Sequence, residues 1–324
     1  MQADQQQRVW FVIAPLLAIG TIAVGAVVAP SELLRPLEPL PWIFALLLVG
    51  LPHGAADLAI LQAEVGPRSV RKMFSAYAVI MAAVAACLVV VPGATLLGFL
   101  AVSLGHFGHA DLPVGRREPR GILRLAAVGS RGGLVVGLPL AVWPEQTAAV
   151  ASDMLQLLRP LRGVCGLPAV ALSAGAAREV ALVGLALGAA SGVCWLIRWA
   201  SVVSRAAEHR DWRSVVGDTA SFCVIGLLGC AATPLLAVGV FFLLWHAWRQ
   251  QPAVAARLDP ETLSSHPLQQ AFLVHRSALP LLIPVWVVLG VAWWLLSVDH
   301  SLRDLALLSV LVYVVVTPSH EIID

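Results

Sequence analysis

The sequence predicts an all-α fold: a polytopic transmembrane helix bundle of about ten spans. Three observations predict it. Hydrophobic residues make up 59% of the 324-residue chain and charged residues only 12%, with a mean hydropathy of +0.85. Apolar stretches of the ~20 residues needed to cross a hydrocarbon core recur from end to end. Arginine collects in alternate connections.

A polar, Gln-rich start (1–8) leads into an apolar run at 9–29. That run is too long for a signal peptide and has no small-residue cleavage site after it, so it reads as the first span. Further spans are expected near 41–62, 73–91, 94–112, 122–143, 178–200, 215–231, 234–249, 277–297 and 304–322, all in one membrane domain. Residues 144–177 read as a loop, a re-entrant piece or an interfacial helix.

Charge orients the spans. Arg68, Arg71 and Lys72 follow span two; Arg116, Arg117 and Arg120 follow span four; Arg205, Arg210 and Arg213 follow span six; Arg249 and Arg257 follow span eight. The opposite connections, such as Pro92-Gly93 and Ala232-Thr233, are short and uncharged. The positive-inside rule therefore predicts cytoplasmic termini in a plasma (inner) membrane protein, with Arg159 and Arg162 as the exception outside. A net charge of +2 gives no nucleic-acid signal. The five cysteines stand singly in apolar surroundings, with no CxxC pair, which argues against a disulfide framework or a zinc site.

Four His-centred motifs interrupt the apolar runs: Leu51-Pro52-His53-Gly54-Ala55-Ala56-Asp57, Gly105-His106-Phe107-Gly108-His109-Ala110-Asp111, Leu244-Trp245-His246-Ala247-Trp248 and Thr317-Pro318-Ser319-His320-Glu321. Ionisable rings in a bilayer are costly and mark function. All four lie on even-numbered spans, which run in one direction. His53, His106 and His246 each follow the start of their span (Pro41, Ala94, Pro234) by twelve residues, a rise of ~18 Å. Those three are expected at one depth. His320, sixteen past Asp304, is expected nearer the inner surface. A shared depth on parallel helices suits a metal held in a bundle.

Asp57 and Asp324 lie four residues after His53 and His320, placed to accept the second imidazole N–H. Asp111, five after His106, fits that role less well. His109 is a further candidate ligand, offset from the His106 face. Gly50, Gly54, Gly105 and Gly108 allow close helix approach, and Pro52 and Pro318 free carbonyls and bend their helices. Imidazole ligation without cysteine suits iron, copper or zinc. A bis-His haem protein and a His/Asp proton or ion transporter are competing readings. A di-iron hydroxylase is disfavoured, because no HxxxH or HxxHH box is present. His209, His266 and His300 read as solvated loop residues and His275 as an interfacial anchor. Arg131, within a span, reads as a helix-pairing or snorkelling residue.

At these residues the chain resembles the Brp/Blh family of integral-membrane β-carotene 15,15'-dioxygenases. The resemblance rests on Gly50-Leu51-Pro52-His53-Gly54-Ala55-Ala56-Asp57, on His106 to Asp111, and on Arg131-Gly132-Gly133 leading to Pro139. It also rests on Trp245-His246-Ala247-Trp248-Arg249-Gln250 and on Thr317-Pro318-Ser319-His320. It implies a non-haem Fe(II) enzyme that splits β-carotene with O2 into two retinal molecules, functionally linked to a retinal-binding rhodopsin. The implied ligands are His53, His106 and His246. The family's fourth ligand falls at Gln250, a departure that implies a three-His site, a set completed by Gln250, His109 or His320, an altered carotenoid substrate or no activity. Aromatic side chains suit a polyene; the expected tunnel residues are Phe107, Phe241, Phe242, Trp245 and Trp248, and Trp286, Trp293 and Trp294 are further candidates.

Overall fold

The computed structural model describes residues 2–64, 67–112, 119–209 and 212–321. Arg116, Arg117, Arg210 and Asp324, named above, lie outside them. Among the described residues every regular element is helical.

The described residues form eleven long helical segments, several interrupted by turns of another pitch. α1 runs through 2–28, with a π turn at Val9–Ile13. α2 is a broken rod over 31–64, with a π turn at Ala45–Val49 just before Gly50–Ala55. α3 is Pro67–Val90, α4 Pro92–Ala110, α5 Ile122–Val142 and α6 Pro144–Val164. α7 is Ala176–His209 and α8 Trp212–Ala231. α9 covers 234–258, with a π turn at Phe241–Ala247. α10 is Pro267–Leu296 and α11 Leu302–His320. Prolines open α3, α4, α6, α9 and α10, where the missing N–H costs nothing.

Each of the ten expected spans is a helix. Seven helices among the described residues are long and apolar enough to cross a membrane, and Val215–Ala231 is a shorter apolar one. The other two expected spans, α4 and α9, carry His106, His109, His246 and Arg249, which lower their hydropathy. Residues 144–164 form the amphipathic helix α6 and not a loop. It buries Met154, Leu155, Leu157 and Leu158. Arg162 is buried. Its guanidinium donates to the carbonyls of Pro168 (2.8 and 3.0 Å), Val89 and Val90, satisfying the orphan acceptors at the end of α3.

Three of the four helices bearing the motifs are gathered at their starts. Thr233 donates to Glu38 (2.8 Å), and Arg303 bridges Glu38 (3.3 Å) and Asp153 (2.9 Å). The entries to α2, α9 and α11 thus meet on one side, and their His residues come together one helix length away. α4 is pressed onto α5 by two glycines: a Cβ at Gly108 would run into the Val128 backbone, and one at Gly132 into the Leu104 carbonyl. This crossing brackets His106 and fixes it.

Candidate metal centre

The structure brings all four motif rings into one cluster. His53 (α2), His106 (α4), His246 (α9) and His320 (α11) are all buried. Ring centroids are 4.5 Å apart for His106–His246, 5.2 Å for His53–His320, 5.4 Å for His53–His246 and 5.7 Å for His106–His320. The Nε2 atoms of His106 and His246 stand 2.9 Å apart. His320 is therefore not displaced toward the surface, as counting from Asp304 predicted. It is level with the other three.

Three of the rings have their outer nitrogen engaged. His53 Nδ1 donates to the Gly50 carbonyl at 2.8 Å. His320 Nδ1 donates to Asp57 Oδ2 at 2.6 Å, and His106 Nδ1 pairs with Glu321. Carbonyls and carboxylates only accept, so each of these Nδ1 atoms carries the proton and Nε2 keeps a lone pair. Asp57 thus serves His320 across the bundle and not His53 on its own helix. His246 is held by aromatics, stacked on Phe242 (centroids 5.5 Å) and edge-on to Phe107 (5.1 Å).

Other candidates fall elsewhere. His109 is exposed, three residues on from His106 along α4. Gln250 donates its amide to the Ala110 carbonyl at 3.0 Å, capping α4 away from the rings. Asp111 serves no ring. It pairs with Arg131 (2.8 Å) and Arg249, and accepts from Trp245 Nε1 (3.1 Å). Arg131 continues to Asp218 (2.9 Å) and Ser221 (2.7 Å), and Arg198 joins Asp218 at 2.6 Å. This buried network ties α4, α5, α7, α8 and α9 together beside the His cluster. It bears out the helix-pairing reading of Arg131.

A small apolar cavity opens onto the rings of His53, His106 and His320. Of the expected tunnel residues, Phe107 and Phe242 line it. Phe241 lines a smaller separate cavity against Leu134 and Ile225. Trp245 is spent on Asp111 with Arg249 over its ring (4.2 Å), and Trp248 donates to the Trp10 carbonyl at 2.9 Å. Trp286 and Trp293 donate to the Leu46 and Ser301 carbonyls, and Trp294 stacks on His300. A buried indole N–H needs an acceptor, and a bare polyene has none. Trp42, Phe99 and Tyr313 line the cavity instead. Glu321, the other residue not foreseen, adjoins His320 in the last motif.

No group of three His, Cys, Asp or Glu side chains among the described residues stands in finished ligating geometry. The donors nevertheless fit a borderline-soft divalent ion: neutral imidazoles with Nδ1–H oriented by carbonyl or carboxylate. Two nitrogens bound side by side to one ion at ~2.1 Å stand about 3 Å apart, close to the 2.9 Å seen between His106 and His246.

The family model for beta-carotene 15,15'-dioxygenase matches residues 44–323, a stretch that contains all four rings and both carboxylates bonded to them. The chain belongs to this dioxygenase family. It is also 27% identical over 300 residues to the probable beta-carotene 15,15'-dioxygenase Blh of Halobacterium salinarum, covering 86% of this chain and 82% of that protein. No solved structure matches it. In this family member the ring that completes the cluster comes from α11, and the position after Arg249 is a helix cap.

Proposed function

We propose that this protein cleaves β-carotene at its central 15,15' double bond with O2, giving two molecules of retinal, in the bacterial or archaeal plasma membrane with both termini on the Arg-rich cytoplasmic side. The observation that carries the reading is the meeting of four oriented imidazoles at one wall of an apolar cavity, in a chain of this family. His53, His106, His246 and His320 would hold Fe(II). The iron, when bound, supplies the activation of O2 that organic side chains lack. His109 and Gln250 are left out of the ligand set on the geometry above.

The chain's own residues do the rest. Asp57, Glu321 and the Gly50 carbonyl hold three rings in the tautomer that leaves Nε2 open to a metal. Phe107, Phe242 and Trp42 give the polyene an apolar wall and keep water from the reacting bond. A hydrocarbon substrate brings no charge to bind, which accords with the apolar lining. Rings in mutual contact leave no gap for a porphyrin, which disfavours the haem reading. Retinal made in the membrane would pass to a retinal-binding protein such as a rhodopsin.

The test is coexpression in β-carotene-producing bacteria, with pigments separated by chromatography. Loss of orange colour with retinal appearing, absent in His246→Ala, is the expected result. Intact β-carotene with well-expressed wild-type protein overturns the assignment.

A further inference from the structure

Tyr313 is the polar group in this site that the reading above leaves without a task. It lies seven residues before His320 on α11, is 7% exposed, and lines the same cavity as His53, His106 and His320. Its ring is fixed edge-on to Phe242 (centroids 4.7 Å) and tilted against Trp42 (6.0 Å). A Cβ on Gly50 would stand 2.8 Å from its hydroxyl. The hydroxyl therefore reaches the cavity wall only because residue 50 is glycine. The Leu51 amide faces the hydroxyl oxygen, but the O–H proton reaches no acceptor. Three hydroxyl side chains line the cavity: Ser103, Tyr313 and Thr317. Among them, Tyr313's is the buried one left without a hydrogen bond. Phenylalanine would fill the same space without burying an unused donor, so packing does not explain the oxygen.

We infer that Tyr313 donates a hydrogen bond to the oxygen on the cleaved carbon, and so recognises the aldehyde end of the product. The inference rests on the carotenoid-cleaving reading. β-Carotene itself has no acceptor. Cleavage breaks the 15,15' double bond and places one atom of O2 on each carbon, so C40H56 and O2 become two C20H28O. An oxygen acceptor thus arises at the reacting carbons of an otherwise hydrocarbon ligand, where an idle donor stands ready. Tyr313 moves no proton in this role.

The test measures direct binding by quenching of tryptophan fluorescence in the full-length detergent-solubilised protein, with retinal formation followed separately by chromatography. The probes are all-trans-retinal and the matching hydrocarbon with a methyl group in place of the aldehyde. Wild type should bind retinal about tenfold more tightly than the hydrocarbon, the worth of one neutral hydrogen bond. Tyr313→Phe should lose that preference and keep its hydrocarbon affinity and its KM for β-carotene. Equal affinity of wild type for the two probes overturns the inference, with no variant needed. So does a preference unchanged in Tyr313→Phe. Wild type that discriminates through Tyr313 yet forms no retinal overturns the cleavage reading alone.

Discussion

His320 donates to Asp57 across 263 positions of the chain, at 2.6 Å. The bond joins the last long helix to the second and orients a ring of the cluster from a different helix. It predicts that Asp57→Asn, which keeps the shape and removes the charge, lowers iron affinity 10–100-fold while leaving expression intact. Iron per protein, measured by elemental analysis after controlled chelation, decides it. Unchanged iron retention would separate Asp57 from the metal.

The fourth ring is a matter of choice between two positions. His320→Ala should lose bound iron and retinal formation. Gln250→Ala should lose only the cap on Ala110, and keep activity within a few-fold, with a stability loss of about 1 kcal/mol. Gln250→His, which restores the residue expected at that position, should gain nothing. Parallel iron and pigment assays of the three variants check this, and loss of iron in Gln250→Ala would reverse the assignment.

Arg131 stands between two aspartates within the bundle. Arg131→Met should destabilise the protein by about 3–5 kcal/mol, because it leaves buried carboxylate charge short of a partner. The midpoint of thermal unfolding in detergent should fall accordingly. A midpoint within a degree of wild type would mean that Arg249 and Arg198 neutralise both aspartates unaided.

The α4–α5 crossing makes a matched pair of predictions. Gly132→Ala has no room against the Leu104 backbone, so it should shift α4 and with it His106, cutting iron content and activity together. Gly105→Ala meets nothing within 4 Å and should be neutral or stabilising by up to about 1 kcal/mol. Equal behaviour of the two would show that the crossing does not position the ring.

The bundle and its four rings were legible because a polar side chain in an apolar run has few reasons to be there. The partners of the rings were not. The i, i+4 rule gave Asp57 to His53, but His53 turns to Gly50 in a stretch where a π turn and Pro52 disturb the regular helix. Asp57 instead accepts from a ring that sequence distance hides. The depth of His320 was misjudged because α11 was counted from its start; its middle, Leu307 to Val314, is sunk in the core. The tryptophans were assigned to substrate by type, whereas Trp245, Trp248, Trp286 and Trp293 direct their indole N–H to acceptors in protein and Trp294 stacks on His300. Tyr313 and Glu321 became visible only when helices far apart in sequence were brought together.

The contribution of α11 has a consequence in time. Ribosomes deliver positions 53, 106 and 246 well before position 320. A growing chain has three of the four imidazoles while it still lacks Glu321, the Asp57 counterpart and one whole wall of the cavity. On the proposed Fe(II) reading, metal loading belongs after synthesis of α11, because a ribosome stalled before it leaves one of the four proposed ligands and a carboxylate that orients another unmade.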